Sequence, residues 1–292
     1  MKLQEHERST VCPFCASPTV VERPTEERPD PVFVVGFTLD REHATQKVLS
    51  WIRRRGPFAH SGLKSAAVQE TRGVYLPAYL YGAVADSSYS AQIGENYTET
   101  ETYTTTDAKG NRVTRTRTVT KTEWRPLSGT HACYLVDVIV TASKGLPNQE
   151  LESIEPFDLG GIRPYDPALF SGWIAEEPSL DEAECRRLAH QEGRDEIQRR
   201  LRRFMPGDSC RDLEFRTEVR DEILHLISLP IWIFAVRYAA DRPPIRLLVN
   251  GQTGKVAGKV PWSVGKILLA VFGGLGLIAL IVAIVALIAG SR

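Results

Sequence analysis

The sequence is short of the features that mark several large classes of protein. Its 36 basic and 36 acidic residues give a net charge of zero, so no overall field would gather nucleic acid, and we expect no nucleic-acid partner. Its five cysteines do not form the spaced framework of a disulfide-rich secreted domain. The N-terminal stretch MKLQEHERSTVCPFC lacks the apolar segment of a secretory signal. A reducing cytoplasm fits these absences.

Catalytic patterns are missing as well. The six histidines lie in unrelated contexts, with no HExxH or other metal spacing, and no Ser/His/Asp set or carboxylate pair can be named. The stretch GQTGK at 251–255 is two residues shorter than a phosphate-binding loop and is followed by Val256, so nucleotide binding is rejected. We therefore expect no enzyme, no catalytic residues and no organic cofactor.

One long apolar run is present near the C-terminus. Ile267–Ala289 contains twenty-three residues without a charged side chain. At about 1.5 Å per residue the run reaches roughly 34 Å, enough to cross a hydrocarbon core of about 30 Å. A core helix of a soluble protein is the alternative, but it would be shorter and would carry a polar stripe. The sequence predicts a transmembrane helix from Val264 to Ala289, within an anchor segment 263–292.

The charges around this run predict its orientation. Lys255, Lys259 and Lys266 precede it, and no acidic residue follows Asp241. The positive-inside rule then leaves the N-terminal bulk in the cytoplasm. Because only three residues follow Ala289, the expected arrangement is a single-pass tail anchor in the lipid bilayer.

Small residues recur along one side of the predicted helix at a 3-4-3-4 spacing. This spacing puts them on a single face, where two backbones can approach closely. Self-association or pairing with another membrane helix follows as a hypothesis; the alternative is that these residues are simply common in membrane helices. The face consists of Gly276, Ala279, Ala283, Ala286 and Gly290.

The chain before the anchor predicts a polar lead-in, 1–30, and an α+β domain, 31–262, with mixed, mainly antiparallel sheets. Asp40 can cap an amphipathic helix that ends before Gly56-Pro57 and places Ala44, Val48, Trp51 and Ile52 on one face. Its last residues, Arg53, Arg54 and Arg55, form either a solvated helix end or a membrane-surface contact.

Further elements follow from local signals. Ser179 and Glu182 form a capping box for a second amphipathic helix that runs to Pro206-Gly207. The stretch before the anchor predicts a hairpin that turns at Asn250-Gly251 or Thr253-Gly254.

A short internal similarity suggests that the domain has two related halves. LPAYLYGA at 76–83 and LPIWIFAV at 229–236 each predict a strand with proline at its first position, and each follows a predicted helix. Duplicated halves at 31–143 and 154–262 would explain the match, as would chance.

Residues 94–126 predict a polar hairpin, called the ribbon below. Alternation marks two strands, with a turn at Asp107–Gly110. A register that matches charges would pair Glu101 with Arg115, Glu99 with Arg117 and Glu95 with Lys121. Such a ribbon should project into solvent, either as a partner-binding edge or as an inert hairpin protected by its charges.

The pair Cys12 and Cys15 has the C-x-x-C spacing of a zinc knuckle. A structural zinc needs four ligands, and no second pair lies nearby; His6 could be a third ligand, although at an uncommon spacing. The open interpretations are a decayed or half ribbon, a site completed by another chain, and a redox dithiol.

Several phrases together resemble a known family. They are CPFC, GVYLPAYLYG, the run IEPFDLGGIRPYDPALFSGWIAEE at 154–177, and VNGQTGKVAGKVP. They are similar to bacterial membrane proteins that contain a TFIIB-type zinc ribbon. In that family two C-x-x-C pairs form the ribbon, whereas this chain has one. The resemblance implies a membrane adaptor that anchors phage-shock-protein A or flotillin-like partners during envelope stress.

Two functional hypotheses remain. The first is a membrane-anchored cytoplasmic adaptor or scaffold that recruits protein partners. The second is a metal- or thiol-dependent sensor or enzyme that uses Cys12 and Cys15.

Overall fold

The structure is a computed structural model that describes residues 9–11, 18–20, 29–106 and 110–290, with side chains for 29–106 and 110–283. Its helices are α1 (Arg41–Arg53), α2 (Asn148–Ile154), α3 (Glu182–Phe204) and α4 (Val264–Gly290). Its strands are β1 (Ser9–Val11), β2 (Pro18–Val20), β3 (Phe33–Val35), β4 (Ala67–Thr106), β5 (Arg112–Thr141), β6 (Ile162–Pro164), β7 (Ile174–Ala175), β8 (Ser209–Arg237), β9 (Ile245–Asn250) and β10 (Val256–Gly258). The prediction of a mixed α+β fold with mainly antiparallel pairing is confirmed.

The chain folds into two compact units, each assembled from segments that are distant in sequence. Unit 1 consists of the chain up to Tyr79, the segment Thr141–Asp181, and the chain from Leu226 onwards. Unit 2 consists of Leu80–Val140 and Glu182–His225. The long strands β4, β5 and β8 therefore contribute residues to both units. The predicted repeat halves divide the chain differently, and they stay a prediction.

Unit 1 contains a sheet in which the strand order is β10-β9-β8-β3-β6. The pairs β10/β9, β9/β8 and β3/β6 are antiparallel, whereas β3 and β8 run parallel. The first part of β4 pairs in parallel with β7 through Val74 and Tyr75. The predicted hairpin near residue 250 is thus confirmed as β9–β10, with Gly254 at a φ of +71° in its turn.

The helix α1 packs on this sheet as its sequence predicts. Asp40 caps it, since its side chain accepts a hydrogen bond from the backbone N–H of His43 at 2.8 Å. The apolar face predicted from the sequence is buried at Ala44, Val48 and Ile52 and half-buried at Trp51. It lies against a core from β8 and β9 that includes Phe234, Val236, Leu247 and Val249.

Two local predictions are wrong. Pro77 and Pro230 do not open strands but lie inside β4 and β8, and their carbonyl groups accept hydrogen bonds from Ala142 and Gly251. Proline removes one backbone donor from each strand, while its carbonyl group still takes part in hydrogen bonding. The capping box is not formed, because α3 begins at Glu182 and the Ser179 hydroxyl accepts a hydrogen bond from the Lys144 N–H at 2.8 Å instead.

Unit 2 consists of α3 with the long parts of β4, β5 and β8. The helix buries Cys185, Ala189, Gly193, Ile197 and Leu201, which recur every four residues on one face. At Gly193 an added Cβ would lie 3.1 Å from the Cδ1 of Leu135, so a small residue suits this close contact. The rest of α3 is rich in Arg and Glu and largely exposed, as expected from the sequence.

Candidate functional site

The helix α4 is a long apolar helix. Over Val264–Ala283 it is long and apolar enough to span a membrane, and none of its described side chains is buried. Leu269, Phe272 and Val282 are each more than half exposed. A soluble protein rarely leaves so large an apolar surface in contact with water. The helix is therefore a candidate membrane span.

The start of α4 is bonded to unit 1 over a short stretch. Ala59 and Trp262 form an isolated antiparallel bridge. His60 donates its N–H to the carbonyl of Pro261 at 2.8 Å, and Ser263 donates its N–H to the carbonyl of Phe58 at 2.8 Å. Inside α4, the Lys266 Nζ donates to the carbonyl of Ala59 at 2.9 Å. These bonds attach the helix firmly to the segment 58–60.

The predicted helix-association face lies partly within the described side chains. Gly276, Ala279 and Ala283 are exposed, and an added Cβ at Gly276 would meet no atom within 4 Å. Ala286 and Gly290 belong to α4, but their side chains lie outside the described part. Association through this face stays a prediction.

The ribbon is the end of a much longer pair of strands than 94–126, since β4 has 40 residues and β5 has 30. Among the described residues from Glu95 to Tyr134, none is buried. Tyr97 and Tyr103 are 47% and 42% exposed, which is unusual for aromatic side chains inside strands. This exposure makes the ribbon available to a partner.

The ion pairs of the ribbon differ from the predicted register. Glu101 pairs with Arg117 at 2.9 Å rather than with Arg115, and Glu99 pairs with Lys121 at 2.7 Å rather than with Arg117. Glu95 lies 3.9 Å from Arg125 rather than beside Lys121. A long cationic side chain can reach more than one residue of the other strand, as Lys121 reaches Glu99 at 2.7 Å and Glu101 at 3.2 Å, so matching charges does not fix which residues are directly opposite.

The same ion pairs shift the pKa values of the ribbon. Hydrogen bonds from Arg117 and Lys121 lower the pKa of the Glu101 carboxyl, and those to Glu99 and Glu101 raise the pKa of Lys121. All of these groups face solvent, where water and salt screen their attraction. Their contribution is to keep an exposed strand pair charged and resistant to edge-to-edge aggregation.

Unit 2 contains a cavity of about 410 Å³ between α3 and its strands. Its wall is apolar at Leu135, Ile197, Phe215 and Val219 and cationic at Arg194 and Arg216. Tyr81 and His190 also line it: the hydroxyl of Tyr81 donates to Glu222 Oε2 at 3.1 Å, and the His190 Nε2 lies 2.6 Å from the same oxygen.

The side chains of Tyr81, His190 and Glu222 form a polar cluster in which Tyr81 and His190 both contact the Glu222 carboxylate. Burial, followed by the neighbouring Glu222 carboxylate, raises the pKa of Tyr81, so the phenol stays neutral. The hydrogen bond with His190 holds the pKa of Glu222 below its usual value, with Tyr81 and Arg186 adding to the effect. Sequence reasoning treated His190 as isolated and did not single out Tyr81 or Glu222. The three residues lie on α3, β4 and β8, and only folding brings them together.

The predicted metal residues His6, Cys12 and Cys15 lie outside the described residues. Within the described part, no group of three or more His, Cys, Asp or Glu residues could hold a metal ion. Among the described residues, Cys133, Cys185 and Cys210 take part in no disulfide, and Cys185 is buried in unit 2. The zinc hypothesis therefore stays a prediction from the sequence.

Comparisons with known proteins give a distant relative. No family model matches the chain, and no solved structure matches it. The chain is similar to the uncharacterized protein YdjG of Bacillus subtilis (strain 168), with 25% identity over 246 residues. The match covers 81% of this chain and 65% of YdjG, so the chain spans less than two thirds of that relative's length.

Proposed function

We propose that the protein is a membrane-anchored adaptor that holds a folded α+β domain at the cytoplasmic face of a lipid bilayer and recruits protein partners there. One observation carries the proposal: α4 exposes its apolar side chains over Val264–Ala283, yet its first turn is bonded to unit 1 through Lys266 and the segment 58–60. A membrane-spanning helix attached in this way would hold the folded unit at a fixed position beside the membrane. The lysines before α4 favour the cytoplasmic side.

The ribbon is the proposed recruiting surface. Its exposed tyrosines and alternating charges offer both apolar contact and charge complementarity to an extended partner strand. By the family resemblance, the proposed partners are phage-shock-protein A or flotillin-like proteins. The proposal includes no catalytic step.

Membrane insertion is the first test. Membranes that contain the full chain are washed at alkaline pH, which strips peripheral proteins but leaves spanning helices in place. We expect the chain to stay with the membrane. A variant with Leu275→Arg and Leu277→Arg, both in the exposed apolar run, should be released. Release of the unaltered chain would refute the anchor.

Partner recruitment is the second test. Residues 98–120 are replaced by Asn-Gly, which joins Tyr97 to Lys121 and leaves the hydrogen bond between Thr122 and Asn96 in place. Cross-linked partners are recovered from membranes with the full chain and with this variant. The control exchanges Glu101 and Arg117, which preserves the ribbon and its ion pair. Recovery of the same partners without the ribbon would exclude it as the interface.

We also propose that the two halves 31–143 and 154–262 arose by duplication. The two Leu-Pro segments that suggested it lie in β4 and β8, and each strand follows an amphipathic helix, α1 or α3. Aligning the α1–β4 segments of relatives against their α3–β8 segments tests this idea. An absence of shared pattern beyond the eight original residues would leave chance as the explanation.

A further inference from the structure

A cavity of about 250 Å³ lies in unit 1 beside the first turn of α4. Its lining comes from the end of α1, the segment 55–64 and α4 itself. The lining residues are Ile52, Arg55, Gly56, Pro57, Ala59, His60, Ser61, Leu63, Lys64 and Lys266. The cavity is thus part of the attachment of α4, where a spanning helix would enter the bilayer.

The cavity concentrates positive charge without an acidic partner. Arg55, Lys64 and Lys266 all line it, and its described lining contains no carboxylate. Like charges that share a concave surface repel one another unless an anion lies between them. The cluster therefore has the electrostatic character of an anion-binding site.

Several donors remain available for such an anion. Lys266 uses one of its three N–H bonds on the Ala59 carbonyl. The Arg55 guanidinium is held in place because its Nε donates to the Trp51 carbonyl at 3.0 Å and its Cζ lies 3.8 Å from the centroid of the Trp51 ring. The N–H of Gly62 donates to the His60 Nδ1 at 3.2 Å, which leaves the His60 Nε2 as a donor.

Exposed aromatic side chains border the same region. Trp262, two residues before α4, is 64% exposed, and Phe58 is 39% exposed. Tryptophan and phenylalanine in such positions suit the boundary between headgroups and acyl chains. The positive cavity and the aromatic rim would then face the level at which lipid phosphates lie.

We propose that this cavity binds the phosphate of an anionic membrane lipid. Arg55, Lys64 and Lys266 supply the charge, and His60 and the Ser61 hydroxyl supply further hydrogen bonds. The assignment rests on the proposed placement of α4 in a bilayer for the source of the ligand. The chemistry recognised is a phosphate diester that carries one negative charge.

The test is a competition between lipids for the purified full chain in a neutral detergent. Equal amounts of phosphatidylglycerol and phosphatidylcholine are added, and the lipid retained is identified by native mass spectrometry. We expect phosphatidylglycerol to be retained preferentially. Each positive charge near a lipid surface contributes about fivefold in affinity, so the double variant Lys64→Gln, Lys266→Gln should bind about 25-fold more weakly.

Matched variants separate the cavity from general positive charge. Arg53→Gln with Lys259→Gln removes two exposed charges outside the cavity and should leave the preference intact. Lys64→Arg with Lys266→Arg keeps the charge and should retain the preference. Lys64→Gln alone keeps the bond between Lys266 and Ala59, so a loss of about fivefold in that variant cannot come from a detached helix.

Three results would overturn the proposal. Equal retention of the two lipids would exclude a charge-selective site. An equal loss in the control variant with Arg53 and Lys259 altered would assign the effect to general charge. Displacement of the lipid by millimolar inorganic phosphate would indicate a site for a soluble anion. Because the assay is done in detergent, its outcome is independent of the alkaline wash that tests the anchor.

Discussion

Replacing Asn250 by alanine should destabilise unit 1 more than its small size suggests. Asn250 lies at the end of β9 and is completely buried. Its Nδ2 donates to the carbonyls of Ile154 and Pro156, both at 3.0 Å. Its Oδ1 accepts from the N–H groups of Gln252 and Thr253, at 2.9 and 3.0 Å. One amide therefore joins the β9–β10 turn to the chain after α2.

The expected magnitude follows from these four hydrogen bonds. Alanine would leave two carbonyl groups and two N–H groups without their partner. A buried polar group that loses its partner costs about 1–3 kcal/mol, with the lower value where water can enter. Taking about 1 kcal/mol for each group near a surface turn gives a loss of about 4 kcal/mol. For a chain of this size, that corresponds to a fall in the melting temperature of roughly 8–16 °C.

The assay is thermal unfolding of the full chain in detergent, followed by circular dichroism. Asn96→Ala is the matched control, because Asn96 is exposed and its side chain accepts one hydrogen bond, from Thr122, at 2.7 Å. We expect that control to cost about 1 kcal/mol or less. If Asn250→Ala melted within about 2 °C of the control, the reasoning that the amide organises this part of unit 1 would be refuted.

Three further predictions concern other parts of the chain. Gly251→Ala should destabilise unit 1 by about 1–3 kcal/mol, because the added Cβ would lie 2.7 Å from the Phe37 ring. Gly36→Ala is the control: its added Cβ would meet no atom within 4 Å, so it should be nearly neutral in the same melting assay. Because the pKa of Glu222 is lowered in the fold, its ionised form stabilises the fold above the ordinary glutamate pKa, and this stability is lost as pH falls through the folded value. The free energy of unfolding should therefore depend less on pH between pH 6 and pH 3 in Glu222→Gln than in the unaltered chain. Equal pH dependence in the two proteins would contradict this. Metal analysis of the purified chain should find less than one zinc per chain, and stoichiometric zinc that disappears in Cys12→Ser would revive the sensor hypothesis.

Local signals in the sequence predict the elements whose stability is local. The Asp40 cap and the 3-4 spacing of α1 identify that helix from its start to the glycine after it. The Asn-Gly and Thr-Gly pairs identify the β9–β10 hairpin, and the uninterrupted apolar run identifies α4. Each of these signals depends on neighbours within a few residues, which a single sequence displays directly.

Long-range pairing escapes the same reasoning. Proline usually marks the first residue of a strand, but β4 and β8 begin well before Pro77 and Pro230, whose carbonyl groups still accept hydrogen bonds. Asp137, Asp212 and Asp221 have positive φ values inside strands, a backbone conformation that regular strands do not have. The regular alternation of side chains between the two faces of a strand cannot be assumed to continue through such residues.

The polar cluster of unit 2 illustrates the same limit for a site. Tyr81, His190 and Glu222 are separated by more than thirty residues at each step. Nothing near any one of them indicates the other two, because their contact depends on how α3 lies against its strands. The ribbon was easier to identify, since its alternation of threonine and charge is contained in one segment, although the partners of its charges were not.

The short attachment of α4 has a consequence for how two copies could meet. Five residues separate β10 from α4, and bonds to the segment 58–60 remove most of their freedom. Turning the helix about its axis therefore turns unit 1 with it, and one inserted residue corresponds to a turn of about 100°. If two copies associated through Gly276, Ala279 and Ala283, that contact would also determine which sides of their two folded units face each other.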